Sequence, residues 1–96
     1  MALETKLFDM AEVLSDDARI AAYLEEAFAD GDPAFIASAI GDVARARNIT
    51  AIARDTGLTR ETLYRAFSPG GNPTLATMVA VVKALGYQLA IRPLTT

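Results

Sequence analysis

Apolar side chains recur along this chain at intervals of three and four residues, and short polar or glycine-bearing breaks divide them into segments. Residues 1–14 keep no clean period, with Leu3, Leu7, Phe8, Met10, Val13 and Leu14 scattered among charges, and form an arm. Ser15 stands as an N-cap, followed by Asp16 and Asp17 in a first turn where carboxylates complement the helix dipole. Ile20, Leu24, Ala27 and Phe28 then follow at helical spacing up to a stop at Gly31. Asp32 and Pro33 restart the helix, a capping carboxylate before a proline at the first helical position. Ile36, Ile40, Val43 and Ala44 make the buried stripe of this second helix. Gly41 lies inside it at a cost of about 1 kcal/mol relative to alanine, which close packing against a neighbour would justify.

Two short helices follow with almost no spacer, over 49–56 and 59–67, and then a loop over 68–73 rich in glycine and proline. Thr74 caps a fifth helix with an expected apolar face of Leu75, Met78, Val79, Val82 and Leu85, closed by Gly86. Residues 87–92 alternate apolar and polar, as a half-buried strand does, and Pro93 ends them. The expected architecture is all-α: one domain over 1–96, with the arm at 1–14, five helices within 15–86, and a short C-terminal strand.

The segment 49–68 carries the most specific pattern. A helix-turn-helix needs a small residue where its helices cross and, four positions later, a residue free to take positive φ; Ala53 and Gly57 meet both needs. Ile52, Leu58, Leu63 and Ala66 fall where apolar groups lock the two helices to the domain, and Thr59 caps the second. Thr56 departs from the pattern, which is usually apolar there. With Leu63, Ala66 and Phe67 inward, the outer face holds Thr59, Arg60, Glu61, Tyr64, Arg65 and Ser68, the positions able to reach a major groove. Arg60, in the first turn, has the fork to engage guanine O6 and N7, and Thr59, Thr62 or Tyr64 the hydroxyls for phosphates. Arg54 and Asn72 are candidate backbone contacts, and Arg45 and Arg47 read as phosphate or solvent contacts. The bland alternatives are a surface pair between Glu61 and Arg65, four apart, and a rim aromatic at Tyr64.

Charge sharpens this picture. The net charge of −3 argues mildly against nucleic acid, but its distribution does not. Residues 1–43 carry ten acids against Lys6 and Arg19, a balance of −8; residues 44–96 carry seven bases against Asp55 and Glu61, a balance of +5. Such asymmetry suggests two surfaces with different partners. At 52% apolar and 22% charged the chain is not expected to be disordered. It has no cysteine and no histidine, which excludes disulfides, thiolate or imidazole metal sites and His-dependent nucleophile triads. No metal or cofactor is expected. The longest uncharged run, 66–82, is broken by Pro69, Gly70, Gly71, Asn72 and Pro73 and cannot span a membrane. Glu4 and Asp9 and the lack of a basic leader predict a cytoplasmic protein. Gly70 and Gly71 lack the spacing and lysine of a P-loop, and the turn at Asp30 and Asp32 lacks the glycine position and downstream glutamate of a calcium loop.

The run GLTRETLYRAF at 57–67, then GNPTL at 71–75 and VKALG at 82–86, resembles the addiction-module antidote family, HigA-like antitoxins with a lambda-repressor-like helix-turn-helix. FDMAE at 8–12, IAAYL at 20–24 and GDVARAR at 41–47 are similar to it as well, so the resemblance covers about residues 5–92. It implies neutralisation of a RelE/ParE-superfamily, HigB-type toxin and repression of the shared operon through double-stranded operator DNA. Three readings stand at this point: an antitoxin and autorepressor, a stand-alone transcription regulator of the same fold, and a small enzyme. The last has little to recommend it, because Glu25 and Glu26 are adjacent, lie on different helix faces and have no placed partner. The acidic, apolar-studded N-terminal half is the expected toxin-binding surface, with Leu3, Leu7, Phe8 and Leu14 either anchoring the toxin or packing on the chain's own helices. The strand, with Tyr87, Leu89 and Ile91 on one face, has no evident partner in the chain, so self-pairing across a twofold axis is expected to make a homodimer.

Overall fold

A computed structural model describes residues 14–94 and places five α-helices among them: α1 (Asp17–Asp30), α2 (Pro33–Arg47), α3 (Ile49–Thr56), α4 (Arg60–Ala66) and α5 (Leu75–Ala84). None is long and apolar enough to cross a membrane. The expected toxin-contact residues Leu3, Leu7 and Phe8 lie outside the described residues; Leu14 lies within them, half-buried against the core.

Each helix begins on a side-chain cap. Asp16, not Ser15, caps α1: its Oδ1 accepts from the Ala18 N–H at 2.9 Å, and its backbone is extended as an N-cap requires. Asp32 does the same for α2 through the Ala34 N–H, with Pro33 in the first turn. Asn48 serves two helices at once. Its N–H ends α2 on the Ala44 carbonyl, while its side-chain oxygen accepts from the N–H groups of Thr50 and Ala51 and starts α3. One residue thus replaces a spacer, which is why α3 turns off α2 without a loop.

The core is built around α2, which packs against α1, α3 and α4 and buries Ala37, Ala39, Ile40, Val43 and Ala44. Ile20, Leu24 and Ala27 come from α1, Ile52 from α3, Leu63 and Phe67 from α4 and its end, and Val81, Val82 and Leu85 from α5 and its end. Phe28, expected in the α1 stripe, is 37% exposed. The expected face of α5 is also rotated. Val82 and Leu85 are buried and Met78 half-buried, but Leu75 and Val79 face solvent, and Val81, which the pattern did not mark, is fully buried. The cause is packing: α5 leans on α3, and the residues it buries lie toward its C-terminal end.

α5 ends in a Schellman arrangement, with Gly86 N–H on the Lys83 carbonyl, Tyr87 N–H on the Val82 carbonyl and Gly86 at φ 95°. Tyr87 packs back on the core. Beyond it, residues 87–94 make no ladder with any other described residue, so they form no strand among the described residues. Tyr87, Leu89 and Ile91 do not share a buried face either: Tyr87 is half-buried, while Leu89 and Ile91 are exposed, Ile91 almost wholly.

Candidate nucleic-acid interface

α3 and α4 are joined by Gly57, Leu58 and Thr59, and the turn is fixed at every residue. Gly57 takes φ 77°, a left-handed conformation open to glycine, and its N–H closes α3 on the Ala53 carbonyl. Thr56 explains its own departure from the pattern. Its half-buried hydroxyl donates to the Ile52 carbonyl at 2.7 Å and accepts from the Leu58 N–H at 3.3 Å, so the polar side chain is satisfied inside the turn. Leu58, Ala53 and Ala66 pack on the core, beside buried Ile52 and Leu63.

α4 is only seven residues long and buries a single side chain of its own, Leu63. Its position is set from both ends. At the start, Thr59 Oγ1 accepts from the Thr62 N–H at 3.0 Å and donates to the Thr62 hydroxyl at 2.8 Å. At the finish, buried Phe67 fills the core, and its carbonyl accepts from Arg45 Nη1 of α2 at 3.4 Å, a cation where the helix dipole is negative. Arg45 is in turn held by Asp42 at 3.0 Å, and Asp42 accepts from the Tyr23 hydroxyl of α1 at 3.1 Å. Tyr23 stacks edge-on against Phe35, ring centroids 6.3 Å apart. Its hydroxyl is pushed up to about 12 by burial first, then by the Asp42 charge and the bond to it. Arg45 is therefore a structural clasp, and Arg47 pairs with Asp17 at 3.1 Å.

Gly41 is the other half of this junction. A Cβ built there would lie 2.0 Å from the Phe67 carbonyl oxygen, so the absent methyl is what lets α2 and the end of α4 touch.

The outer face of α4 gathers Arg60, Glu61, Tyr64, Arg65 and Ser68 around one shallow concavity. Arg60 has no ion pair or hydrogen bond from its side chain to a described residue. Arg65 pairs with Glu61 at 3.6 Å, both largely exposed, the weak pairing that four-residue spacing suggests. Tyr64 is 44% exposed and its hydroxyl is open. Of the hydroxyls expected to reach phosphates, those of Thr59 and Thr62 are bonded to each other at the cap; Ser68, also on the outer face, donates to the Tyr64 carbonyl. Thr62 is half-buried beside Thr59, and Arg54, on α3, lies against Asp55 at 3.5 Å. Asn72 is not part of the concavity; it lines a different groove, with Phe28, Pro33 and Met78. Missed by sequence reasoning was Arg45, whose three-residue spacing from Asp42 was visible but whose carbonyl partner was not.

Fold and surface together define a small all-α protein whose helices share one core and present one short, end-clamped helix to solvent. A family model described as probable addiction module antidote protein matches residues 4–93, and the chain belongs to that family. A protein of Haemophilus influenzae, described only as an uncharacterized protein, is 47% identical over 92 residues, covering 96% of this chain and 95% of its own length. No solved structure matches the chain. The family and the small helical fold point to a non-enzymatic protein, an antidote whose partner is a toxin.

Proposed function

We propose that this chain is the antitoxin of a type II module, neutralising a RelE/ParE-superfamily, HigB-like toxin and repressing its own operon through a lambda-repressor-like helix-turn-helix formed by α3 and α4. The observation that carries the DNA half is the outer face of α4: Arg60 without a described partner, Arg65 and Tyr64 exposed beside it, on a helix clamped at both ends. A reading helix must hold its side chains at a fixed angle to the groove, and a seven-residue helix cannot do so by its own stability. Arg60 is the leading base reader, Arg65 and Tyr64 its neighbours, and Arg54 a backbone contact.

The operator form is a homodimer, joined by antiparallel pairing of residues 87–92. Their backbone groups make no ladder among the described residues, and their Leu89 and Ile91 side chains are exposed. If the half-sites lie one turn of DNA apart, such a dimer would read them with two α4 helices about 34 Å from each other. The toxin half of the reading rests on the family and on the acidic balance of residues 1–43.

The test is a gel shift on the DNA upstream of the reading frame. Arg60→Ala is expected to weaken operator binding about tenfold or more, and Arg60→Ala with Arg65→Ala further still. Unchanged affinity in the double variant would move the DNA surface away from α4. Truncation after Gly86 should give a folded monomer with weak operator binding, and light scattering showing a full-length monomer at micromolar concentration would overturn the dimer. Failure of the adjoining reading frame's product to bind the chain would leave a stand-alone regulator.

A further inference from the structure

On the outer side of the corner between α1 and α2, Phe28, Pro33, Ile36 and Ala37 face Pro73 and Met78 across an apolar groove of about 160 Å³. A cavity of about 150 Å³ lined by apolar side chains admits a benzene ring, so this space suits one bulky apolar side chain. Phe28 is not spent on the chain's own core. The residue before it, Ala27, is fully buried, whereas the Phe28 ring stays 37% exposed at the groove. The rim is acidic. Glu25 lies one turn before Phe28 on α1, Asp30 closes that helix, and Asp32 caps α2 immediately before Pro33. None of these three carboxylates makes an ion pair with a described residue, and all three residues are exposed.

We infer that this groove is where the toxin docks: it receives one bulky apolar or aromatic side chain from a lysine- or arginine-bearing segment of the toxin, and Glu25, Asp30 and Asp32 meet the flanking cations. Burial of the anchor supplies affinity; the carboxylates supply orientation and speed of encounter. The inference rests on the antidote reading and gives it a site on α1 and α2, distinct from the DNA face on α4.

The experiment is calorimetric titration of the full chain with the purified product of the adjoining reading frame, at low and high salt. Phe28→Glu is expected to weaken binding about a hundredfold, as loss of a central anchor does. Glu25→Lys with Asp30→Lys is expected to weaken it about tenfold at low salt and to flatten its salt dependence. Glu25 and Asp30 are exposed, so that variant's melting temperature and operator gel shift should stay near wild type, and for Phe28→Glu a retained operator gel shift with a cooperative melting transition separates a lost contact from a lost fold. Tight toxin binding by both variants would overturn the groove while leaving the antidote reading intact. No binding by the wild-type chain would overturn that reading and this one with it. Loss of self-association in Phe28→Glu with toxin binding retained would assign the groove to a second copy and overturn the inference as well.

Discussion

α2 and α4 touch each other, yet they are held by opposite means. α2 is fifteen residues long and buries six of them, so its place follows from its own apolar surface. α4 has seven residues and one buried side chain, and its place follows from what happens at its ends: Gly57 and Thr59 before it, Phe67 and the Arg45 clasp after it. A helix secured this way is free to devote its exposed side to something other than folding. The difference also says where damage should register. Changes at the ends of α4 should cost stability, and changes on its outer face should cost binding.

Phe67→Ala breaks the comparison most severely. A fully buried aromatic at the junction is lost, with an expected destabilisation of about 3–5 kcal/mol, readable as a fall in the denaturant midpoint. A loss below about 1 kcal/mol would mean that α4 is not anchored from its end. Gly41→Ala comes next. Helix propensity alone would favour alanine by about 1 kcal/mol, but the new methyl meets the Phe67 backbone oxygen and crowds the Arg45 guanidinium 3.0 Å away. Overpacking against backbone costs about 1–3 kcal/mol, so the net effect should be a loss, opposite in sign to the propensity expectation. A gain in melting temperature would refute the tight contact.

Tyr23→Phe tests the far end of the clasp. At neutral pH it removes one hydrogen bond to Asp42, worth about 0.5–1.5 kcal/mol. Its more specific signature is alkaline. The Tyr23 phenol titrates near 12 in the folded chain against 10.0 for an ordinary tyrosine, so the stabilising protonated form is fully present below pH 10. As pH rises from there toward 12 the unfolded chain loses its proton first, and stability falls. Wild type should therefore lose more stability over that window than Tyr23→Phe, measured by chemical denaturation at a series of pH values. The smallest expected effect belongs to the outer face: Arg60→Ala with Arg65→Ala should move the folding free energy by no more than about 0.5 kcal/mol, since only an exposed Glu61 pair is lost.

The caps and turns were legible in the sequence because they depend on a few adjacent residues: Gly31, Asp32 with Pro33, Gly57, Thr59, Thr74 and Gly86 behave as their chemistry requires. Asp16 displaced Ser15 because the two compete for one cap and spacing alone does not choose between them. What depends on distant partners was less legible. Leu75 and Val79 have the right period for a core stripe, but which side of α5 meets α3 is decided by packing. Alternation at residues 87–92 predicts a strand, yet a strand exists only where another supplies its ladder. On α4 the outward residues were legible from period, whereas the engagement of the Ser68 hydroxyl in a local bond was not. The groove at Phe28 was hidden because the same spacing that buries Leu24 and Ala27 also admits Phe28.

Position 41 acts as a shim of zero thickness between two parts. Because the neighbouring surface is the backbone of Phe67 and not a pliable side chain, any group added there must be taken up by moving α4 as a whole. A protein engineer who wished to retune the pitch of α4 would find the adjustment screw in the middle of α2, well away from every residue that faces outward on α4.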